Sequence, residues 1–196
     1  KWGQEGSSTT EEDTASAKGK KAGGDIKISN ATITADTSDD SIHSNSNVTI
    51  ESGTFKLKSG DDGIHADTST VINNGNIVIE KSYVGIEGSN VTINGGTIEL
   101  TASDDGINAA GGSDSSSMGG RMGQNSFTEN SDIYIKITGG KITVNASGDG
   151  LDSNSNLIIE GGEVYVNGPT SDGDGALDYD GTATISGGTL VAVGSS

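Results

Sequence analysis

Short apolar segments recur along the chain with a period of about 22 residues, in the range typical of repeat proteins. The register is clearest at one aliphatic position, whose members are Ile42, Ile64, Ile86, Ile107, Leu151 and Leu177. The first three intervals are almost equal, the next is twice as long, and the last is slightly extended. A fixed period of this kind is the sequence signature of a solenoid. The pattern therefore predicts stacked coils, and the register predicts which side chains stack on one another.

Each repeat contains three short segments that are typical of β-strands. Midway between successive members of the aligned aliphatic position lies a corner rich in Gly, Asn and Ser, such as Gly95-Gly96. Apolar residues such as Ile93 precede the corner, and alternate apolar residues such as Ile98 and Leu100 follow it. Period-two alternation of β-branched residues, broken by turn residues, indicates short strands. We predict an all-β, parallel β-helix solenoid with three short strands in each coil of about 22 residues.

The periodic pattern also suggests how the chain is organised. Residues 1–24 are polar and aperiodic, which is typical of a linker or an N-terminal tether. Residues 25–196 form the predicted β-helix domain. An aperiodic stretch at about 111–131 interrupts one repeat, and we interpret it as a loop insertion. It is either a functional loop or a flap without chemistry.

Composition excludes several classes of function. The formal net charge is −17, so electrostatic repulsion argues against a nucleic-acid partner. No apolar run is long enough to span a bilayer, so we expect no membrane insertion. The chain has no cysteine, which excludes a disulfide framework and a thiol nucleophile. Only 30% of the residues are hydrophobic, which is enough for a solenoid because neighbouring coils bury a shared core.

Aspartates cluster around the first strand of each repeat, where stacking would bring them together as columns. Adjacent strands lie about 4.8 Å apart, so stacked carboxylates repel unless a cation lies between them or their pKa values rise. Ca²⁺ binds oxygens of Asp, Asn and the backbone. Any single Asp is favoured as a turn residue, whereas the columns together predict at least one bound Ca²⁺. The candidate ligands are Asp39, Asp40, Asp61, Asp62, Asp104, Asp105, Asp149, Asp152, Asp172, Asp174, Asp178 and Asp180.

Two further groups are candidates for ligand binding. Directly after the aligned aliphatic residue come His43, His65, Glu87 and Asn108. The two histidines could ligate a transition metal, although we favour a solvated or hydrogen-bonded pair. Aromatic residues that could stack on sugars are scarce, and the candidates are Tyr83, Tyr165 and Tyr179.

The C-terminal repeats carry a resemblance to a known family. The motifs are GDGLDSNSN at 148–156, IEGG at 159–162, NGPTS at 167–171, GALDYDG at 175–181 and SGGTLVAVGS at 186–195. With them, the stretch from about Asp25 to Ser196 resembles the secreted bacterial, polysaccharide-lyase-like carbohydrate-binding β-helix proteins. The resemblance implies a right-handed β-helix, Ca²⁺ in the Asp-rich turns and an extracellular or cell-surface location. It also implies non-catalytic binding of cellulose or of acidic sugars such as polygalacturonate.

Three functions are consistent with these observations. The first is non-catalytic, calcium-dependent binding of acidic or cellulosic polysaccharide, because Ca²⁺ would let so acidic a protein hold a polyanion. The second is a calcium-stabilised extracellular fibre or matrix protein that self-associates by end-to-end stacking of coils. The third is a polyuronate lyase, which needs a strong base beside calcium-held carboxylates. The possible bases are Lys56, Lys58, Lys81 and Arg121, none of which lies in the Asp columns.

Overall fold

The structure, a computed structural model, describes residues 18–110, 133–171 and 173–195. Within these ranges it contains strands and turns but no helix, and so no helical segment that could cross a membrane. The strands are β1 (Lys20–Ala22), β2 (Ile26–Ile28), β3 (Ala31–Asp36), β4 (Ile42–Ser44), β5 (Asn47–Ile50), β6 (Gly53–Lys58), β7 (Ile64–Ile72), β8 (Asn76–Ser82), β9 (Ile86–Ile93), β10 (Thr97–Ala102), β11 (Ile107–Ala109), β12 (Tyr134–Ile137), β13 (Lys141–Ala146), β14 (Leu151–Ser153), β15 (Asn156–Ile159), β16 (Glu163–Asn167), β17 (Leu177–Tyr179), β18 (Ala183–Ile185) and β19 (Thr189–Val193).

The strands form a parallel β-solenoid, as the repeat predicts. The first strands of the coils pair in the order β1-β4-β7-β9-β11-β14-β17. The second strands pair beside them in the same sheet, where β7 and β9 are long enough to supply both. The third strands make a separate seven-stranded sheet in the order β19-β16-β13-β10-β8-β6-β3. The prediction of three strands per coil is confirmed, and the described residues form about seven coils.

The first coil begins inside the range that the sequence analysis assigned to the polar linker, 1–24. β1 pairs with β4 in register, with Lys20 beside Ile42 and Lys21 beside His43. The hydrophobic pattern does not predict β1, because its two lysines are exposed and only Ala22 is partly buried. Residues 1–17 and the predicted insertion at 111–131 lie outside the described residues. The insertion falls between β11 and β12.

The core consists of stacked columns of inward-facing aliphatic residues. The aligned position is fully buried from coil two to coil six, at Ile42, Ile64, Ile86, Ile107 and Leu151. Inward and outward residues alternate along the third strands, most regularly in β10. The last described coil is less covered, and its core residue Ile185 is 54% exposed although it pairs with Ile159. Only one side of that strand is covered by another described coil.

Glycine is required at two kinds of corner. Gly96 has φ +93°, and a Cβ there would lie 2.6 Å from the carbonyl oxygen of Gly75 in the preceding coil. Gly106 precedes the aligned aliphatic residue, and a Cβ there would lie 2.5 Å from the carbonyl oxygen of Gly150. The glycine of the recurring Asp-Asp-Gly pattern therefore permits close stacking of coils, because any side chain would clash with the next backbone.

Replacing one inward residue tests the assignment of faces. We expect Ile98→Ala to lower the free energy of unfolding by about 3 kcal/mol, because it leaves a cavity in a fully buried column. The neighbouring outward substitution Glu99→Ala should change it by less than about 1 kcal/mol. Urea unfolding followed by circular dichroism measures both. Equal losses for the two variants would contradict the assignment.

Candidate functional site

An outward-facing column of polar residues runs along the first strands of the coils. It is the position directly after the aligned aliphatic residue, and every neighbouring pair is in register. We call it the central polar column, and its members are Lys21, His43, His65, Glu87, Asn108, Asp152 and Asp178. Most of its middle members are buried although they face away from the apolar core. Polar side chains from the preceding turns pack beside them.

Aspartates three residues upstream form a second column, which we call the Asp ladder: Asp40, Asp62, Asp105 and Asp149. The Oδ1 of Asp40 accepts a hydrogen bond from the backbone N–H of Asp62, and the Oδ1 of Asp62 accepts one from Val84. Asp105 and Asp149 accept the N–H groups of Asp149 and Gly175 in the same way. Each of these aspartates thus ties its turn to the next coil. The second carboxylate oxygens of Asp40 and Asp62 bond to the histidines of the central polar column.

In the first two coils, a lysine neutralises the aspartates. The Lys18 ammonium donates to the Oδ1 of Asp39 at 3.1 Å and to the Oδ2 of Asp40, and its Nζ lies 3.3 Å from His43 Nδ1. His43 Nδ1 is also 2.8 Å from Asp40 Oδ2. Burial alone would raise the pKa of Asp40, but the hydrogen bonds from His43 and Lys18 outweigh it and lower the pKa. The Asp39–Asp40–Asp61 group could hold a metal ion by its geometry, but Lys18 already supplies a cation to two of its three carboxylates.

In the third coil, the imidazole of His65 contacts the neighbouring carboxylates, as the Lys18 ammonium does in the first two coils. His65 Nδ1 lies 3.0 Å from Asp62 Oδ2 and 3.4 Å from Glu87 Oε2, and His65 Nε2 lies 3.1 Å from Asp67 Oδ1. Burial alone would lower the pKa of His65, but the hydrogen bonds to Asp62 and Glu87 raise it to about 11. The raised pKa favours the imidazolium form of His65, which lies among the carboxyl groups of Asp62, Glu87 and Asp67. Burial also raises the pKa of Asp62, although its hydrogen bond with His65 opposes this. Its ring stacks on that of His43 with the centroids 4.8 Å apart.

Further along the same columns, three carboxylates converge. Oxygen atoms of Asp105, Asp149 and Asp152 all lie within 4.8 Å of one another. Burial raises the pKa of Asp152 to about 8, with contributions from the carboxylates of Asp105, Asp149 and Asp178. Burial also raises the pKa of Asp149, despite its hydrogen bond from the Gly175 backbone. We call these three residues the carboxylate cluster.

Asn108 lies beside this cluster in the central polar column and is paired in register with Asp152. Its residue is only 5% exposed, and its side-chain Oδ1 has no hydrogen-bond partner among the described residues. Buried amide oxygens in folded proteins are nearly always hydrogen-bonded or bound to an ion or water. The Asn108 oxygen therefore lacks a ligand from the described part of the chain and is available to one from elsewhere.

Other predicted site residues lie elsewhere. Asp174, Asp178 and Asp180 belong to the last coil and are exposed, whereas Asp104 is partly buried beside the cluster residue Asp105. Asp172 lies outside the described residues, as does the candidate base Arg121.

The three tyrosines do not form one platform. Tyr83 lies in the turn before β9, where its N–H bonds to the Asp61 carbonyl. Tyr165 lies on the separate seven-stranded sheet, where its hydroxyl donates to Glu163 at 3.4 Å. Tyr179 pairs with Ser153 in an inward-facing position and is exposed because its coil is the last one described.

Sequence reasoning did not include two contacting residues among the candidate ligands. Lys18 lies in the range assigned to the linker, although it stands one full period before Asp40 and so occupies the ladder position of the first coil. Asp67 stands two residues after His65 on the same strand face, a spacing that the alternation of strands makes meaningful. Lys18 supplies a cation to the aspartates beside His43, and Asp67 is a third carboxylate in contact with His65.

Replacing His65 tests whether its imidazole is the cationic partner of the neighbouring carboxylates. Because its pKa is raised from 6.5 to about 11 in the folded protein, its stabilising effect is complete below pH 6.5 and is lost as the pH rises toward 11. We expect His65→Gln to lower the unfolding free energy at pH 6 by about 3 kcal/mol. The difference from the parent should shrink steadily at pH 8 and pH 10.

Urea unfolding at the three pH values, with a chelator present, makes this measurement. Lys27→Gln is the control, because Lys27 forms an exposed ion pair with Glu51 and its loss should change little at any of these pH values. A difference between His65→Gln and the parent that does not vary with pH would contradict a cationic His65.

Comparison with known proteins identifies a family for the chain. No curated protein and no solved structure matches the chain. A family model described as "carbohydrate-binding domain-containing protein" matches residues 2–63 and 46–129. The two matches together span more than half of the 196 residues and include the first coils, with both histidines of the central polar column. The chain belongs to this family of carbohydrate-binding domain-containing proteins.

Proposed function

We propose that the protein binds acidic or cellulosic polysaccharide without chemical turnover, and that Ca²⁺ at the carboxylate cluster takes part in the binding. Membership of a carbohydrate-binding family supports a polysaccharide partner. The observation that supports Ca²⁺ is the buried Asn108 oxygen beside three converging aspartates. An extracellular or cell-surface location belongs to the same proposal. Calcium modules of extracellular proteins typically bind Ca²⁺ with modest affinity.

The repeat provides an internal comparison for the carboxylate cluster. Asp105, Asp149 and Asp152 occupy the positions that Lys18, Asp40 and His43 occupy in the first two coils. There, an ammonium group and an imidazole accompany a single aspartate. In the cluster, all three positions carry carboxylates. The change from lysine and histidine to aspartate favours a cation from solution at this end of the column.

The available donor atoms suit Ca²⁺. Carboxylate and amide oxygens are the ligands that Ca²⁺ prefers, and it tolerates irregular geometry. Asp105, Asp149, Asp152 and Asn108 would supply the protein oxygens. A bound Ca²⁺ supplies positive charge and open coordination positions. The protein's own part is to hold the carboxylates in place through the Asp ladder, which fixes two of them by backbone hydrogen bonds.

The same comparison narrows the set of candidate ligands. Asp39 and Asp40 are paired with Lys18, and Asp62 is paired with His65. Because these carboxylates already have cationic partners, the proposal assigns Ca²⁺ to the cluster around Asp152 rather than to the whole row of aspartates.

A polyanionic sugar needs such a cation to approach this face. The protein carries a formal net charge of −17, so a carboxylated polysaccharide would otherwise be repelled. Exposed Asp178 continues the column beyond Asp152, so the cluster lies next to an accessible surface. Sugar carboxylates or hydroxyls would complete the coordination of Ca²⁺ there.

Replacing Asp152 tests the calcium site. We expect Ca²⁺ to raise the melting temperature of the parent, since a ligand that binds only the folded state stabilises it. Asp152→Asn should weaken Ca²⁺ binding at least about tenfold, because it removes a charged ligand from the site. Without Ca²⁺ the variant should be at least as stable as the parent, because the substitution relieves repulsion among the carboxylates.

Titration calorimetry and thermal unfolding, with Ca²⁺ and with chelator, give the two readouts. Asp36→Asn is the matched control, because it makes the same change of charge at an exposed residue of the other sheet. Equal Ca²⁺ affinity in the parent and in Asp152→Asn would contradict the assignment of the site.

Retention on immobilised polysaccharide tests the function itself. We expect the protein to be retained on polygalacturonate in Ca²⁺, and chelator should release most of it. No unsaturated sugar product should appear in the eluate. A parallel column of cellulose separates the acidic from the cellulosic alternative. Failure to bind either polymer under any condition would contradict the proposed function, and unsaturated product would indicate a lyase.

A further inference from the structure

Three lysines form an exposed group on the seven-stranded sheet, away from the central polar column. Lys56 and Lys58 lie on β6, and Lys81 lies on the adjacent strand β8. Their side chains point outward, since Phe55, Leu57 and Ile79 between them are buried. The side chains of Lys56 and Lys58 are 60% and 47% exposed. We call this group the lysine patch.

A β-bulge creates the patch. Leu57 pairs with Ile79, but Lys58 pairs with Lys81, so Glu80 is an extra residue in β8. Regular alternation would place Glu80 outward and turn residue 81 toward the core. Because of the bulge, Glu80 and Lys81 are both exposed while Ile79 and Ser82 are buried. Bulges commonly re-aim a side chain in this way near functional sites.

The resulting arrangement of lysines destabilises the pairing of β6 with β8. Lys58 and Lys81 are directly opposite each other, and like charges in that relation destabilise a pair of strands. Glu80 partly compensates, because its carboxylate lies 2.9 Å from Lys56 Nζ and 3.4 Å from Lys58 Nζ. Lys81 has no ion-pair partner among the described residues. Asp36 is in register with Lys58 on the other side but forms no ion pair with it in the described part of the chain.

Two other lysines of the described chain form simple one-to-one ion pairs. Lys27 pairs with Glu51 at 2.9 Å, and Lys136 pairs with Glu160 at 3.1 Å. Each of these lysines has a carboxylate of its own, whereas the lysine patch has one bridging glutamate for three ammonium groups. The patch is therefore a local excess of positive charge on a protein whose net charge is −17.

We propose that Lys56, Lys58 and Lys81 form a second polysaccharide-contacting surface that binds the carboxylates of an acidic polysaccharide directly, without Ca²⁺. This inference rests on the proposed function and deepens it, because it favours an acidic polymer over a neutral one. Exposed ammonium groups on two neighbouring strands offer several cationic contacts to a polymer that carries a carboxylate on successive sugar units. Contacts of this kind weaken as salt screens them.

The test is retention on immobilised polygalacturonate with Ca²⁺ removed by chelator, at increasing salt. The parent should show a weak retention that survives chelation and disappears as salt is raised. The triple variant Lys56→Gln, Lys58→Gln, Lys81→Gln should lose it, with an affinity lower by roughly tenfold if each exposed contact has ordinary strength. Its Ca²⁺-dependent retention should persist.

The matched control is Lys27→Gln, Lys136→Gln, Lys141→Gln, which changes the net charge equally at lysines outside the patch. An equal loss in this control would overturn the proposal, because net charge and not the patch would then govern binding. Absence of chelator-resistant retention in a parent that binds in Ca²⁺ would also overturn it and leave the proposed function standing. Absence of retention under both conditions would contradict both. Lys81→Gln alone should also weaken the chelator-resistant retention. Because it removes the like-charge pair with Lys58, it should not lower the melting temperature, so it carries minimal risk to the fold.

Discussion

Parallel stacking of coils about 4.8 Å apart is the constraint on which the rest of the structure depends. It places equivalent residues of successive repeats side by side, so an aliphatic position becomes a continuous core and a charged position becomes a column of charges. The aliphatic core column stabilises the fold. The column of charges needs cationic partners nearby, because carboxylates at this spacing repel one another. The polar chemistry of the protein follows from how each coil achieves that balance.

Two different solutions occur along the same columns. In the first three coils, Lys18 and His65 provide positive charge from within the chain, and the aspartates around them are paired. Around Asp152, aspartates stand where those coils have lysine and histidine, and burial raises the pKa of Asp152 to about 8. The same backbone ladder of aspartates supports both arrangements. One end of the column is thus a structural ion-pair network, and the other is suited to a cation from solution.

The seven-stranded sheet carries a separate chemistry. Its outward face is independent of the Asp columns, because it lies on the third strand of each coil. There the bulge in β8 sets Lys81 against Lys58 and concentrates positive charge on an acidic protein. If both proposals hold, the carboxylate cluster on one sheet and the lysine patch on the other would give the solenoid two distinct ways to contact a long polymer. This agrees with membership of a carbohydrate-binding family.

The period of the repeat by itself determined the solenoid, the three strands per coil and the register of the columns, because each depends only on spacing along the chain. It also brought His43 beside His65 and Asn108 beside Asp152. The tertiary structure alone decided which aspartates have a cationic partner, since that depends on the reach of side chains such as Lys18 and His65. It also revealed the bulge at Glu80 and the buried oxygen of Asn108, which has no hydrogen-bond partner in the part of the chain that the structure describes. The burial of a polar side chain and a local bulge both arise from packing in three dimensions, so the period of the repeat does not predict them.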